Sequence, residues 1–490
     1  MARDLLIGDV FANAARAVPN RAAAVLGEES IPFGELDRRA NQLVRALSGA
    51  GVQRKDPVIS CCPSSLALVA VFAAVAKMGS LFGPLNPALG AVELGAIATI
   101  VQPALLIADE STINQTRRVA DGLGARVLTI GQLGALADVE DEGELIGYHV
   151  DERDPHVAFF TSGSTGAPKG AVISHRTSFL RTHPGALIEP RGAMVCPYPM
   201  FHMAAWTIAL QQWQARDAVV FVERADAQSI CTAVERHRAT RVNCIPAVWR
   251  RILDHLSTSP TSDMSSVRFA DTGTSATPPE LLSAIEAALP SAHIRVFYGS
   301  TEAGSVAMLE HDDLAAKPGR CGQPGPLVEV RVDDGHQLWV RGPLLFDGYL
   351  GDPAATSAAL VDGWFRTGDL VEVDDDGYLT IVGRVADVVR TGGETVSPSE
   401  VEAVLVTHPA VADVAVVGLP DADYGEVVCA VVVVASADSA PTLAALREYC
   451  DGQLAPFKHP RRLEVVEVIP RTSSTQQVQR RLLIERLASL

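Results

Sequence analysis

The 490-residue chain carries 58 acidic side chains against 41 Lys and Arg, a formal charge of −17, and is 48% hydrophobic and 20% charged. At about 150 residues per domain this length predicts two to four compact units, each with apolar material for its own core. The acidic balance excludes a nucleic-acid partner, whose binding rests on clustered Lys and Arg neutralising phosphates.

Eight cysteines are scattered without a Cys-x-x-Cys spacing, which predicts neither a zinc ribbon nor a disulfide framework and fits reduced thiols in a cytoplasm. The N-terminal stretch has no basic-then-apolar signal pattern, and no membrane partner is expected. Phe11, Ala14, Ala15 and Val18 have helical apolar spacing, as do the residues from Leu36 to Leu47, while Pro57 to Ser60 and Leu105 to Ala108 read as short strands. The longest apolar run, Leu66 to Ala76, falls short of the roughly 20 residues that cross a bilayer and is read as a buried helix. Alternation of this kind predicts α/β layering over residues 1 to about 150.

Phe159 to Gly170 is the first stretch with chemistry. Thr161, Ser162, Ser164 and Thr165 offer hydroxyls, Gly163, Gly166 and Gly170 let backbone N–H groups turn inward, and Lys169 adds a mobile positive charge. That combination is suited to phosphate. It is not a Walker A loop, because Pro168 precedes the lysine and Gly170 follows it; the β-branched residues after it predict a loop joining two strands. A flexible Ser/Gly linker would need neither the lysine nor tight apolar flanks.

Pro197 to Trp206 brings an extended, aromatic segment with one histidine, His202, and reads as a pocket wall that includes Phe201. A histidine in such company is more often a satisfied core residue. Val242 to Pro246 predicts a buried strand leading into a helix. In the block from Val296 to Gly304, Tyr298 can stack on a purine, and Thr301 and Glu302 can offer oxygens to Mg2+.

From Val328 onward short alternating runs with Asp-Gly turns at 334–335 and 376–377 predict a β-rich subdomain. Asp369, set after Gly368, suits a ribose diol. The last hundred residues read as a small α/β unit with a helix at 400–405, strands at 411–419 and 427–435 and a helix at 443–454. The domain boundary is expected near 383–387.

Together these blocks resemble the adenylate-forming superfamily of acyl-CoA synthetases, adenylation domains and luciferases. The likeness covers nearly the whole chain, through the phosphate loop, Tyr298 to Glu302, Arg341 to Tyr349, Trp364 to Asp369, Gly383 with Arg384, Gly392 to Glu402 and Phe457 to Pro460. It implies an α/β fold with a large N-terminal domain of α/β layers plus the β-rich subdomain (1–384), a small mobile α+β C-terminal domain (385–490) and a site between them. By the same resemblance Thr161, Ser162, Gly163, Ser164, Thr165, Gly166 and Lys169 would hold the β- and γ-phosphates of ATP. Tyr298 would flank adenine, Thr301 would meet the α-phosphate, Glu302 would coordinate Mg2+, and Asp369 and Arg384 would bind ribose. Gly392 and Gly393 would line a channel for CoA. Lys169, Thr301, Glu302 and His202 are the catalytic candidates; Phe201, His202, Thr274, Ser275 and Gly299 are the candidate substrate pocket.

Two departures stand out. The family's C-terminal Gly-Lys is missing: after Pro470, Arg471 and Thr472 the lysine slot holds Gln476, or Gln477 with one residue inserted. Arg471 or Arg480 is the candidate substitute for its charge. The family's hinge residue is replaced by Ala386, followed by Asp387. His202 stands where amino-acid-activating relatives place an aspartate, which disfavours an amino-acid substrate, and the hydroxyls of Asp271 to Ala276 favour a small or polar acid.

The leading expectation is therefore an ATP-dependent ligase that converts a small or aromatic carboxylate to an acyl-AMP and then to a CoA thioester. One alternative keeps the adenylation but changes the acid or acceptor, as in nitrite-activating diazotases that use an aryl amine or in carrier-protein acyl ligases. The lesser alternative is a non-catalytic nucleotide-binding protein. A monomer and a homodimer are both compatible with the sequence.

Overall fold

The computed structural model describes residues 4–488 apart from 163–167, 184–190, 260–261, 276, 386, 392–393, 422, 437–439, 452 and 473–475. The chain forms two compact units: Met1–Gly319 with Pro324–Glu329 and Val340–Phe365, and Arg320–Gln323 with Val330–Trp339 and Arg366–Leu490.

The first unit is built on two sheets. A nine-stranded sheet includes, in order, Gly304–Leu309, His293–Ser300, Phe269–Gly273, Arg241–Cys244, Met194–Cys196, Val219–Phe221, Ala22–Leu26 and Glu29–Pro32. A seven-stranded sheet runs Gly348–Tyr349, Pro168–Ser174, Pro155–Ser162, Leu81–Pro84, Pro57–Cys61, Leu105–Ala108 and Arg126–Thr129. Both are mainly parallel inside, so their strands read as unbroken apolar runs.

The apolar run from Leu66 is a helix, Leu66–Met78. The Ser65 side chain caps its first turn by accepting from the Leu68 N–H, and Gly79 ends it in the left-handed conformation. It is buried on nearly every face because it touches Leu81–Pro84 of one sheet and Ala22–Leu26 of the other. Phe72 on this helix stacks on Trp206 with ring centroids 4.1 Å apart and meets Phe82 edge-on. Trp206, read from the sequence as pocket wall, is thus core, with its indole N–H donated to the Met200 carbonyl.

In the second unit, Trp364–Val373 pairs antiparallel with Leu379–Arg384, which sets Asp369 opposite Arg384. The Asp374 carboxylate accepts the Asp376 and Tyr378 N–H groups, and Gly377 takes the positive φ that this turn requires. Further on, Val411–Asp421 and Gly425–Val434 form a long antiparallel pair. Their period-2 pattern divides the side chains between two faces. Val414, Val416, Val428, Ala430 and Val432 pack on Val401, Leu405 and Leu446, while Ala415, Val417, Leu419, Cys429 and Val431 pack on Ile469, Leu483 and Leu487.

Two predicted elements shift. The helix expected over 443–454 stops at Cys450, because Asp451 is extended and Pro456 follows. The helix expected from Glu400 begins at Pro398, whose fixed φ suits a first turn. Among the described residues no helix is long and apolar enough to cross a membrane.

Candidate functional site

As expected, paired strands flank residues 163–167. Pro155–Ser162 and Pro168–Ser174 pair antiparallel with Thr161 opposite Lys169 and Ser162 opposite Pro168. Gly163, Ser164, Thr165 and Gly166 lie outside the described residues. Gly170 is required where it stands: a Cβ there would lie 2.8 Å from the Phe160 ring.

Lys169 is half-buried, with its ammonium 5.1 Å from the centre of the Tyr349 ring, a cation–π contact. The Tyr349 hydroxyl donates to the Glu302 carboxylate at 3.0 Å. Tyr349 therefore stands between the lysine of the phosphate loop and the proposed metal ligand. Burial, then the Glu302 charge and the hydrogen bond to it, push the Tyr349 hydroxyl far above its ordinary pKa, so it stays a donor.

Glu302 follows the strand His293–Ser300 in a tight turn. A Cβ on Gly299 would lie 2.0 Å from the Gly304 carbonyl oxygen, so only glycine fits. The Ser300 hydroxyl accepts the Ala303 N–H at 3.1 Å. Beneath the turn lies Arg181, on the helix His175–Thr182. Its guanidinium donates to the main-chain carbonyls of Leu344, Thr301 and Glu302 at 2.7, 2.9 and 2.8 Å. Burial lowers its pKa to about 10, opposed by the charges of Asp347 and Glu302. Asp347 in turn accepts the Ser174 N–H at 2.7 Å, and burial raises its pKa. Thr301 and Glu302 are both half-exposed, as is Arg181 beneath them.

The segment 344–349 is what sequence reasoning missed. Tyr349 closed a matching block without any chemistry attached to it, and Arg181 drew no reading at all. Nothing local in the sequence marks either; the contacts are made across 47 and 120 positions.

His202 caps the helix Met203–Gln214: its Nδ1 accepts the Ala204 N–H at 3.2 Å. The ring proton then belongs on Nε2. Burial lowers its pKa to about 4, so it is neutral at pH 7, with its ring stacked 5.8 Å from that of Tyr198. The Tyr198 hydroxyl donates to Asn243 at 2.8 Å. Phe201 is half-buried, and Thr274 and Ser275 are exposed. Thr274 has φ of 71°, a strained conformation for a β-branched residue and one that clusters at functional sites. Asp271, grouped with those hydroxyls in the sequence reading, faces elsewhere: it is buried in a two-point pair with Arg295, both contacts at 2.8 Å. Two cavities lie apart from these residues. One of 20 Å3 beside Phe72, Met203 and Trp206 has room for a single water, and a groove of 740 Å3 lies against Glu29 to Ile31 and Leu66 to Val71.

In the second unit Asp369 and Arg384 meet each other, Nε to Oδ1 at 2.9 Å. Arg471 is paired with Asp413 at 2.7 Å and donates to the Gln476 carbonyl at 3.0 Å. Arg480 bonds Glu402 at 2.5 Å, Asp387 at 3.3 Å and the Val416 carbonyl at 3.1 Å. The two arginines considered as stand-ins for the missing lysine are thus engaged within their own unit. Gln476 has φ of 57° and donates its side-chain amide to the Thr472 carbonyl at 3.3 Å. Ala386, Gly392 and Gly393 lie outside the described residues.

A hard cation fits the donors present. Among the described residues no group of three His, Cys, Asp or Glu could cage a metal, but Mg2+ that arrives with nucleotide phosphates needs only one or two protein carboxylates, and Glu302 is a half-exposed carboxylate across from Lys169.

The chain belongs to the AMP-binding enzyme family. The family model matches residues 11–350, and that of the AMP-binding enzyme C-terminal domain matches 400–476. Among its relatives, a feruloyl-CoA synthase of Amycolatopsis sp is 32% identical over 481 residues, covering 94% of this chain and 95% of that one. An indoleacetate–CoA ligase of Aromatoleum aromaticum is 30% identical, with 93% of each covered. Of solved structures, ATP-bound MatB from Rhodopseudomonas palustris superposes with a TM-score of 0.88 at 28% identity over 98% of both chains. The amide bond synthetase McbA from Marinactinospora thermotolerans does so at 0.87 and 26%, over 98% of this chain and 99% of that one. The protein is an ATP-using adenylate-forming ligase of the acid–CoA ligase type.

Proposed function

We propose that the chain activates a small or aromatic carboxylate as its acyl-adenylate and passes the acyl group to the thiol of CoA. The observation that carries this reading is the pairing, across Tyr349, of a lysine on the phosphate hairpin with the Glu302 carboxylate. A carboxylate is a poor electrophile, so its oxygen attacks the α-phosphorus of ATP in line and expels pyrophosphate. Lys169 would neutralise the β- and γ-phosphates with the hydroxyls of Thr161, Ser162, Ser164 and Thr165, and Thr301 would hold the α-phosphate. Glu302 would hold Mg2+, which supplies charge neutralisation on the leaving pyrophosphate. Tyr298 would flank adenine, and Asp369 with Arg384 would meet the ribose hydroxyls. His202, uncharged at neutral pH, would serve as pocket wall and hydrogen-bond donor with Phe201, Thr274, Ser275 and Gly299. Residues 385–490, as a small mobile domain, would exchange the two half-reactions. The acids named for the relatives, ferulate and indoleacetate, are aromatic and support that substrate class.

A second reading changes the acceptor. The likeness to an amide bond synthetase supports an amine in place of CoA. The test is release of AMP and pyrophosphate over a panel of carboxylates and nitrite, each with and without CoA and an aryl amine. CoA-dependent turnover of an aryl acid supports the first reading. Turnover that needs an amine and ignores CoA supports the second, and nitrite-dependent release would overturn carboxylate activation.

A further inference from the structure

We infer that Tyr349 is a positioning residue that ties the phosphate-binding lysine to the metal-binding glutamate, holding Glu302 firmly and Lys169 loosely. The inference rests on the reading of Glu302 as the Mg2+ ligand given above.

The tyrosine is itself fixed by main-chain contacts. Gly348 and Tyr349 pair antiparallel with Val172 and Ala171, the strand that leaves the phosphate loop. The Asp347 N–H donates to the Val172 carbonyl and the Leu350 N–H to the Gly170 carbonyl, each at 2.8 Å. The Tyr349 N–H donates to the Thr356 hydroxyl at 2.9 Å. Gly348, with φ of 137°, admits Thr356 where a Cβ would come within 2.9 Å of its methyl carbon. Phe346 packs on the ring at 4.8 Å.

The same segment also grips the main chain of Glu302, whose carbonyl accepts the Phe346 N–H at 2.7 Å and the Arg181 guanidinium at 2.8 Å. With its backbone held from beneath, Glu302 has only side-chain rotation left, and the hydroxyl on Oε1 removes that freedom. A carboxylate has two oxygens, so Oε2 is left for a cation. Lys169 is treated differently. An ammonium over an aromatic face is held weakly and without a fixed direction, so incoming phosphates can draw it off the ring while Glu302 stays in place. Phenylalanine at 349 would keep the face and lose the donor; leucine would lose both.

The experiment separates these roles on the full-length chain by calorimetric titration of α,β-methylene-ATP, with no acid present, across a series of Mg2+ concentrations and in EDTA. Tyr349→Phe should raise the Mg2+ midpoint by about 10- to 100-fold, as loss of a partner that orients a metal ligand does, and leave binding in EDTA unchanged. Tyr349→Leu should in addition tighten binding in EDTA by about 2- to 5-fold, because the lysine then has no exposed cation–π contact to give up. Glu302→Gln is the control for the underlying reading: if it fails to move the Mg2+ midpoint, Glu302 is not the metal ligand. If Glu302→Gln moves it and Tyr349→Phe leaves it unchanged or lowers it, the positioning role of the hydroxyl is overturned. If Tyr349→Leu matches Tyr349→Phe in EDTA, the hold on Lys169 is overturned.

Discussion

Replacing Arg181 by methionine keeps the apolar stem of the side chain and removes the guanidinium with its five donors. Three main-chain carbonyls, at 301, 302 and 344, then lose charged donors that stand at 2.7 to 2.9 Å. Hydrogen bonds to a charged group are each worth about 1.5–3 kcal/mol, so a plain sum over three gives roughly 5–9 kcal/mol. Two effects reduce it. The variant no longer buries a charge whose pKa burial has already lowered to about 10, and water can reach at least one carbonyl beside the half-exposed Thr301. A net loss of about 3–5 kcal/mol remains, of the size expected when a buried charged network is broken. Thermal unfolding followed by circular dichroism measures it. Arg181→Lys is the discriminating comparison, since one ammonium cannot meet three carbonyls from a planar fork and should recover less than half of the loss. Full stability in Arg181→Lys would refute the clamp, and so would wild-type stability in Arg181→Met.

Lys169→Ala should slow acid-dependent pyrophosphate release by roughly 10²–10³ while leaving unfolding unchanged, because among the described residues the lysine touches only an aromatic face; the check is initial-rate pyrophosphate detection. Burial holds His175 at a pKa of about 4 and His156 well below its ordinary value. Their folded pKa values lie below the unfolded 6.5, so their contribution is present above pH 6.5 and is lost as pH falls through the window toward 4. His175 alone accounts for about 3 kcal/mol at 1.36 kcal/mol per unit. Urea midpoints between pH 7 and 4 should therefore fall, and fall less in His175→Gln. Arg471→Ala and Arg480→Ala should leave ATP–pyrophosphate exchange within severalfold of wild type and lower the stability of the second unit, Arg480→Ala more so because it strands Glu402; a hundredfold loss of exchange in either variant would restore that arginine as the substitute for the lysine.

Much of the fold was legible because its signals are local. The helix at Leu66 needs only an apolar run with serine before it and glycine after it, and the alternating valines of 411–434 state both that they form strands and that both faces are covered. The hairpin of 155–174 was legible for a similar reason: apolar and β-branched residues lie tight on both sides of a Gly/Ser/Thr stretch. Where the reading failed, the deciding partner was distant in sequence. Trp206 belongs to the core because Phe72 stacks on it. Asp271 is occupied because the neighbouring strand places Arg295 opposite it. Tyr349 and Arg181 gained their meaning only when Glu302 was folded between them.

The departures at the C-terminus now fall together. The two arginines that could have replaced the lost lysine are bound to Asp413 and to Glu402 with Asp387, and freeing either would strand a carboxylate. Gln476 can donate a hydrogen bond but brings no charge to a developing phosphate anion. In the first unit Arg181 is close to Thr301 and Glu302 yet points its donors at main-chain oxygens, so it shapes the site without facing a ligand. Lys169 differs from all three arginines. It rests against a ring that costs little to leave, which is the condition a cation must meet if it is to follow charge as pyrophosphate departs. An adenylating site that has lost its second lysine would be expected to depend on such a residue, and on whatever keeps it close before ATP arrives. Tyr349 does that while fixing Glu302, so the adaptation to the missing lysine would lie in the hairpin and its facing strand.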